Sequence, residues 1–294
     1  MEPDEIEKYM KAGKIASDVR QWSMGLIKEG APAIDVADKI EARILELGAH
    51  IAFPTNVCIG DVAAHYAPKL NDKTEIGGVV SIDLGVHVDG FIADTAYTVD
   101  LSGEYKKMLK ANEAALSRAI SLVKPGVSVC EIGRAVQETI TGAGFRPIEN
   151  LTGHEVKQYE LHAGLSIPNV PVPYDRRIKE GMVIAIEPFA TDGAGRIVEG
   201  KHAEIFSLIA GKPSRIPESR TLINLLQERH GLPFAAHWYA KRINPLKLTL
   251  AIQDILSRGA LKAHPVLHEK EEGTVSQFEH TVMVTKDGCV VTTR

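Results

Sequence analysis

Val79-Val-Ser-Ile-Asp-Leu-Gly-Val-His-Val-Asp-Gly-Phe-Ile-Ala-Asp-Thr-Ala-Tyr-Thr-Val99 consists of two arms rich in Val, Ile and Thr, joined at Asp89-Gly90. That dipeptide tolerates the positive φ angles of a type I′ turn, so the stretch predicts a β-hairpin. Each arm also carries a carboxylate, Asp83 and Asp94, among apolar neighbours. With a two-residue loop Val88 faces Phe91, and Asp83 falls opposite Ala96, two residues from Asp94. Both acids then emerge on one face as diagonal neighbours, roughly 7–8 Å apart at the backbone. A three-residue loop would send them to opposite faces. Two unpaired carboxylates in a dry sheet repel each other, and one would have to stay protonated. A divalent cation between them removes the conflict. The competing reading is a solvated hairpin face on which Asp serves solubility.

At 294 residues the chain can bury a large core, as one big domain or a domain with an insertion. A composition of 44% hydrophobic and 24% charged residues is that of a soluble globular protein. A net charge of −4 and a pI near 6.3 leave no electrostatic footprint for nucleic acid or an anionic membrane. No stretch approaches eighteen apolar residues, and Met1-Glu-Pro-Asp-Glu lacks the chemistry of a signal or transit peptide. The three cysteines, Cys58, Cys130 and Cys289, are scattered and odd in number. They suggest neither a disulfide framework nor a thiolate metal site, so a reduced cytoplasm is the expected compartment.

Helical periodicity runs over residues 4–29, 32–48, 105–124 and 127–142, with loop-rich segments at 52–60 and 63–68. A repeat emerges from these helices. Gly30, Ile34, Ile40, Ile44 and Gly48 match Gly126, Cys130, Val136, Ile140 and Gly144 at an offset of 96. Gly77-Gly-Val-Val-Ser-Ile-Asp83 matches Gly181-Met-Val-Ile-Ala-Ile-Glu187 at an offset of 104. Two αβ halves are therefore expected, each ending an apolar strand on an acid, which is rare in such a context. Residues 195–272 differ in character: Leu222–Leu226, Pro233–Tyr239 and Leu246–Leu256 read as short helices of an insertion with no chemistry of its own. The catalytic domain is thus expected at 1–194 and 273–294. Val275–Val284 alternates like one strand and contributes Glu279.

Asp83, Asp94, Glu187 and Glu279, with His154 after a glycine, carry a charge of −4 that two divalent cations would neutralise. Oxygen ligands with one imidazole suit Mn, Fe, Co or Zn rather than a structural thiolate site. A pair of ions roughly 3.5–4 Å apart would ionise a water near neutral pH and polarise a carbonyl, which is hydrolase chemistry. His65 precedes the hairpin, and His162 would share a face with His154 if the segment between them stays extended. The other eight histidines, among them His230, His237 and His268, read as ordinary hydrogen-bonded residues. His280 should point away from the acids, since it follows Glu279 directly in a strand.

In their contexts Gly153-His154, Ile186-Glu-Pro-Phe189 and Gln277-Phe-Glu-His-Thr281, these five residues resemble the metal ligands of the methionine aminopeptidases. The resemblance runs essentially end to end. The long connection between Glu187 and Glu279 resembles the type II branch, and the start without a charged extension its archaeal form. It implies a mixed α/β (α+β) pita-bread fold with internal pseudo-twofold symmetry, in agreement with the repeat. It also implies that Asp83 chelates one ion, that Asp94 and Glu279 bridge both, and that His154 and Glu187 complete the second. Glu187 would shuttle a proton from the bridging water, His162 would contact the substrate amide, and His65 would hydrogen-bond near the scissile peptide. Phe53, Leu161 and Phe189 would form the methionine slot, with core packing as the alternative for each. Where the family has Tyr-Pro, this chain has His264-Pro265, which would make the slot more polar. The implied substrates are N-termini of nascent polypeptides, with transient proximity to the ribosome and a monomeric state. Two other readings are a prolidase or aminopeptidase P relative, which usually has a further N-terminal domain, and a non-catalytic binding protein on the same fold, which would have lost ligands.

Overall fold

The computed structural model, which describes residues 1–294, builds the hairpin from strands Val79–Val88 and Phe91–Asp100. Val88 pairs with Phe91, Asp83 with Ala96 and Gly85 with Asp94, the register of a two-residue loop. Asp89 and Gly90 take φ angles of 51° and 87°, as the type I′ turn requires. The outer edge of Val79–Val88 is covered by the short strands His50–Ile51 and Asn56–Ile59.

Helices α1 (Pro3–Ser23) and α2 (Ala33–Glu46) belong to this half; α3 (Lys106–Leu122) and α4 (Val129–Gly142) belong to the other. The first predicted helix stops at Ser23, where the short 3-10 turn Met24–Leu26 follows. α2 and α4 begin and end 96 residues apart, the offset seen in the sequence. The duplication extends to the backbone. Gly30 N–H donates to the Ile76 carbonyl at 2.8 Å, and Gly126 N–H to that of Ile178 at 2.9 Å. Ala33 and Val129 repeat the correspondence against Thr74 and Arg176. The second half centres on a five-stranded sheet whose middle strands are His280–Val284, Val183–Ile186 and Thr152–Val156. The largest apolar core joins the halves, with Ile40 and Val80 on one side and Val136 and Ile184 on the other.

Threonines stitch the halves at their seam. Thr281 Oγ1 accepts from Asp94 N–H at 2.7 Å and donates to the Asp94 carbonyl at 2.8 Å. Thr95 Oγ1 donates to the Glu279 carbonyl, and Thr98 Oγ1 to that of Gln277. These β-prone side chains supply the bonds that a continuous backbone ladder would otherwise provide.

The segment Val275–Val284 is not one strand. Val275–Gln277 pairs with Phe189–Thr191 in one sheet, and His280–Val284 pairs with Val183–Ile186 in another. Both chains break where the acids sit, at Glu187-Pro188 and at Phe278-Glu279. Proline cannot donate to a ladder, and the break leaves carbonyls that need donors. The buried amide of Asn112 on α3 supplies them, bonding to the Pro188 and Ser276 carbonyls at 3.0 and 2.9 Å.

The insertion holds α5 (Pro217–Gln227) and α6 (Pro245–Ser257), but it is not all helical. Strand Ile205–Leu208 lies between Phe234–Ala235 and Leu261–His264, so only Ala236–Tyr239 of the third predicted helix turns, as 3-10. Phe234 is pulled into the sheet by full burial against Phe206, where it joins a core with Leu222 and Ile255. No helix of the structure is long and apolar enough to cross a membrane.

Candidate metal centre

All five acid and imidazole candidates, Asp83, Asp94, His154, Glu187 and Glu279, line one cavity of about 250 Å³ at the seam of the two halves. The hairpin aims Asp83 and Asp94 from one face, as their register demands. The two strand breaks release Glu187 and Glu279 from the alternation of their sheets and turn them to the same wall. His154 comes from the central strand Thr152–Val156, where Gly153 lets the backbone pass the Ala185 carbonyl at a distance no Cβ would allow. His154 Nε2 lies 3.6 Å from Asp94 Oδ2 and 3.5 Å from Glu187 Oε1.

The electrostatics of this wall are those of a cage built for cations. Burial, followed by mutual repulsion, pushes Asp94, Glu187 and Glu279 well above the usual carboxylate range. Burial raises Asp83 to about 7. The one polar counterweight is Gln277, whose Nε2 lies 3.3 Å from Asp83 Oδ2 and 3.5 Å from Glu187 Oε2. Asp83 Oδ1, Asp94 Oδ1 and Glu279 Oε1 are buried without any hydrogen-bond partner. His154 is the one nitrogen base beside the acids, and no Lys or Arg pairs with any of the four. Buried carboxylates this close persist only when shared protons or metal ions offset their charge. Burial also holds His154 down to about 3, so its imidazole is neutral and its lone pair free to coordinate. The donor set therefore fits divalent metal: Asp94, His154 and Glu279 alone place ligand atoms within 4.8 Å of one another.

The remaining predicted residues line the same cavity. His65 holds a left-handed backbone at φ 63°, fixed by its N–H donating to Asn56 Oδ1 at 2.6 Å. Its Nδ1 lies 3.1 Å from the Pro265 carbonyl, which can only accept; Nδ1 carries the proton and Nε2 is left as an acceptor. His162 sits beside His154, with ring centroids 4.3 Å apart. The chain does not run extended between them: it doubles back at Lys157–Glu160, so the turn and not the spacing joins the two rings. Phe53 packs with Ile92 and Leu232, over Gly85, where any Cβ would strike its ring. Leu161 borders that cluster, while Phe189 is 1% exposed and shared with the core. His264 faces the cavity with its Nε2 2.9 Å from Ser207 Oγ, edge-on to His65. His280 turns away and meets Thr293 Oγ1 at 2.8 Å.

The sequence reading missed Asn56, Thr152 and Gln277, and the insertion's Ile205 and Pro233, which also line or support the cavity. Asn56 pairs with Asp83 across the sheet, and Thr152 holds the position 96 residues on in the second half. The repeat was therefore a signal for both.

Metallopeptidase family M24 matches residues 7–286. The methionine aminopeptidase of Methanocaldococcus jannaschii is 44% identical, over all of both chains. That of Thermococcus onnurineus is 45% identical, over 99% of this chain and 100% of its own. Among solved structures, Thermotoga maritima methionine aminopeptidase superposes with a TM-score of 0.73 at 22% identity, covering 100% of this chain and 98% of that one. A thermophilic Arx1 reaches 0.84 at 18%, covering 99% and 91%, and Pyrococcus furiosus prolidase 0.65 at 20%, covering 100% and 64%. At these identities the structural likeness is one of fold. The full-length relatives carry more: the chain belongs to metallopeptidase family M24 and, within it, to the methionine aminopeptidases.

Proposed function

We propose that this protein removes the initiator methionine from nascent polypeptides in the cytoplasm, as a monomer, with two divalent ions held by Asp83, Asp94, His154, Glu187 and Glu279. The observation that carries this reading is the set of partnerless buried carboxylate oxygens on one cavity wall. Bound there, Co, Mn, Fe or Zn would supply Lewis-acid charge at a peptide carbonyl and acidify a water.

The protein's own groups do the rest. Glu187 is placed between His154 and Gln277, where it can take a proton from the attacking water and return it to the leaving amine. His162 donates to the scissile carbonyl as charge grows on its oxygen. His65, fixed in one tautomer by Pro265, accepts a substrate N–H at Nε2. Phe53 and Leu161 receive the methionine side chain, with Phe189 behind them, and the substrate's free amine binds beside the acid wall, which restricts cleavage to the first residue. Residues 195–272 form a subdomain that roofs the slot through Ile205, Pro233 and His264. The polar pair of His264 and Ser207 should narrow the preference for methionine over larger apolar residues.

The test is release of methionine from Met-Ala peptides beside cleavage of Pro-containing peptides, with and without chelator. Methionine release that chelator abolishes and added metal restores is the expected result. Cleavage confined to X-Pro bonds would make the protein a prolidase relative. Inactivity with two equivalents of metal bound would make it a binding protein.

A further inference from the structure

α2 places Asp38 and Glu41 three residues apart on one face, opposite the 3-10 turn Ala236–Tyr239 of the insertion. From that turn His237 reaches into the space between them. Its Nε2 lies 3.4 Å from Asp38 Oδ1, and the ligand atoms of Asp38, Glu41 and His237 all fall within 4.8 Å of one another. The His237 side chain is only 8% exposed, yet neither Nδ1 nor Nε2 has a hydrogen-bond partner. A buried imidazole with both nitrogens unmatched is unusual, because one must offer a proton and the other a lone pair.

The neighbouring carboxylate is held as a ligand would be. Glu41 is 6% exposed; its Oε1 accepts the Thr55 N–H at 3.0 Å and its Oε2 the Trp238 indole N–H at 2.7 Å. Each oxygen keeps a further acceptor position. The nearby cation is committed elsewhere: Arg229 lies over the Trp238 ring and donates to the carbonyls of Ile51, Ala52 and Pro233. No Lys or Arg forms a salt bridge with Glu41, whose hydrogen bonds come from Thr55 and Trp238.

We infer that Asp38, Glu41 and His237 form a third divalent-cation site, separate from the cavity and suited to a zinc-like ion. Two carboxylates cancel the ion's charge, the imidazole supplies the nitrogen donor such metals favour, and Asp38, 58% exposed, leaves the remaining position open to water. The ion fastens the insertion to α2. Since the same insertion brings Pro233 and His264 to the substrate cavity, its function is to hold the roof of the slot in place.

Zinc chloride added to enzyme already carrying two equivalents of metal tests this. Metal content after gel filtration should reach three equivalents per chain in the wild type, and the unfolding temperature should rise by about 5 °C with the third. In His237→Ala the third equivalent and its temperature rise should vanish while the two equivalents of the cavity remain, and KM for a Met-Ala peptide should rise as the roof loosens. Asp38→Asn, on an exposed side chain that does not threaten folding, should bind the third ion at least tenfold more weakly. Wild type that stops at two equivalents overturns the inference. A third ion bound as tightly by Asp38→Asn overturns it too, since that ion then sits elsewhere.

Discussion

His65 and His162 line the same cavity as the five donor residues but stand outside that donor set, and the separation can be measured. His65→Ala and His162→Ala should each lower kcat, His162→Ala by roughly 10²–10³-fold if its imidazole stabilises the growing oxyanion. Both should retain two equivalents of metal. Asp83→Asn should instead lose metal, because it removes one of four negative charges from the cage. Metal analysis beside kinetics of the purified variants checks this, and loss of both ions from either histidine variant would make that histidine a ligand. At this scale the sequence was readable wherever an acid interrupted an apolar strand, as at Asp83 and Asp94. Asn56 and Gln277 were harder to see. A polar amide in a loop-rich or strand-like run looks like any other until the fold shows Gln277 spanning Asp83 and Glu187.

Among the elements, the hairpin was legible to the exact pair because the turn dipeptide sets register and register sets faces. The tip of that hairpin also carries a pH dependence. His87 Nδ1 accepts the Gly90 N–H at 3.1 Å, which only an unprotonated nitrogen can do. Burial, then His50 and Arg229, lowers its pKa to about 4 from an ordinary 6.5. As pH falls the unfolded chain takes the proton first, so the contribution of His87 is complete above pH 6.5 and lost as pH drops through 4. It amounts to about 2–3 kcal/mol once partial solvent access is allowed for. Urea denaturation at pH 7 and pH 4.5 should therefore show a larger loss in the wild type than in His87→Gln, whose side-chain oxygen accepts the same N–H without titrating. Equal losses would assign the acid sensitivity to other groups. The final strand was misread for an instructive reason. Alternation persists across Phe278-Glu279, and only the partner strands, which change sheets there, reveal the break that frees Glu279.

The whole molecule is two copies of one αβ unit closed around their shared seam, with a second apolar core around Phe234 and Ile255, and Ile205, Pro233 and His264 on the cavity wall. The duplication was visible because glycines at helix ends and the acid at the strand end recur at fixed offsets, and the backbone bonds of both copies confirm it. The insertion's mixed sheet was not visible, since strands of two to four residues such as Phe234–Ala235 show too few alternations to declare a period. The central claim is that distant acids and His154 converge on a pair of ions at that seam. Anomalous diffraction from crystals of the zinc- or cobalt-loaded protein tests it most directly. Two peaks roughly 3.5–4 Å apart, both within ligand reach of Asp94 and Glu279, are the expected result. No peak between Asp83 and Glu279, or ions held there by none of the five residues, would contradict it.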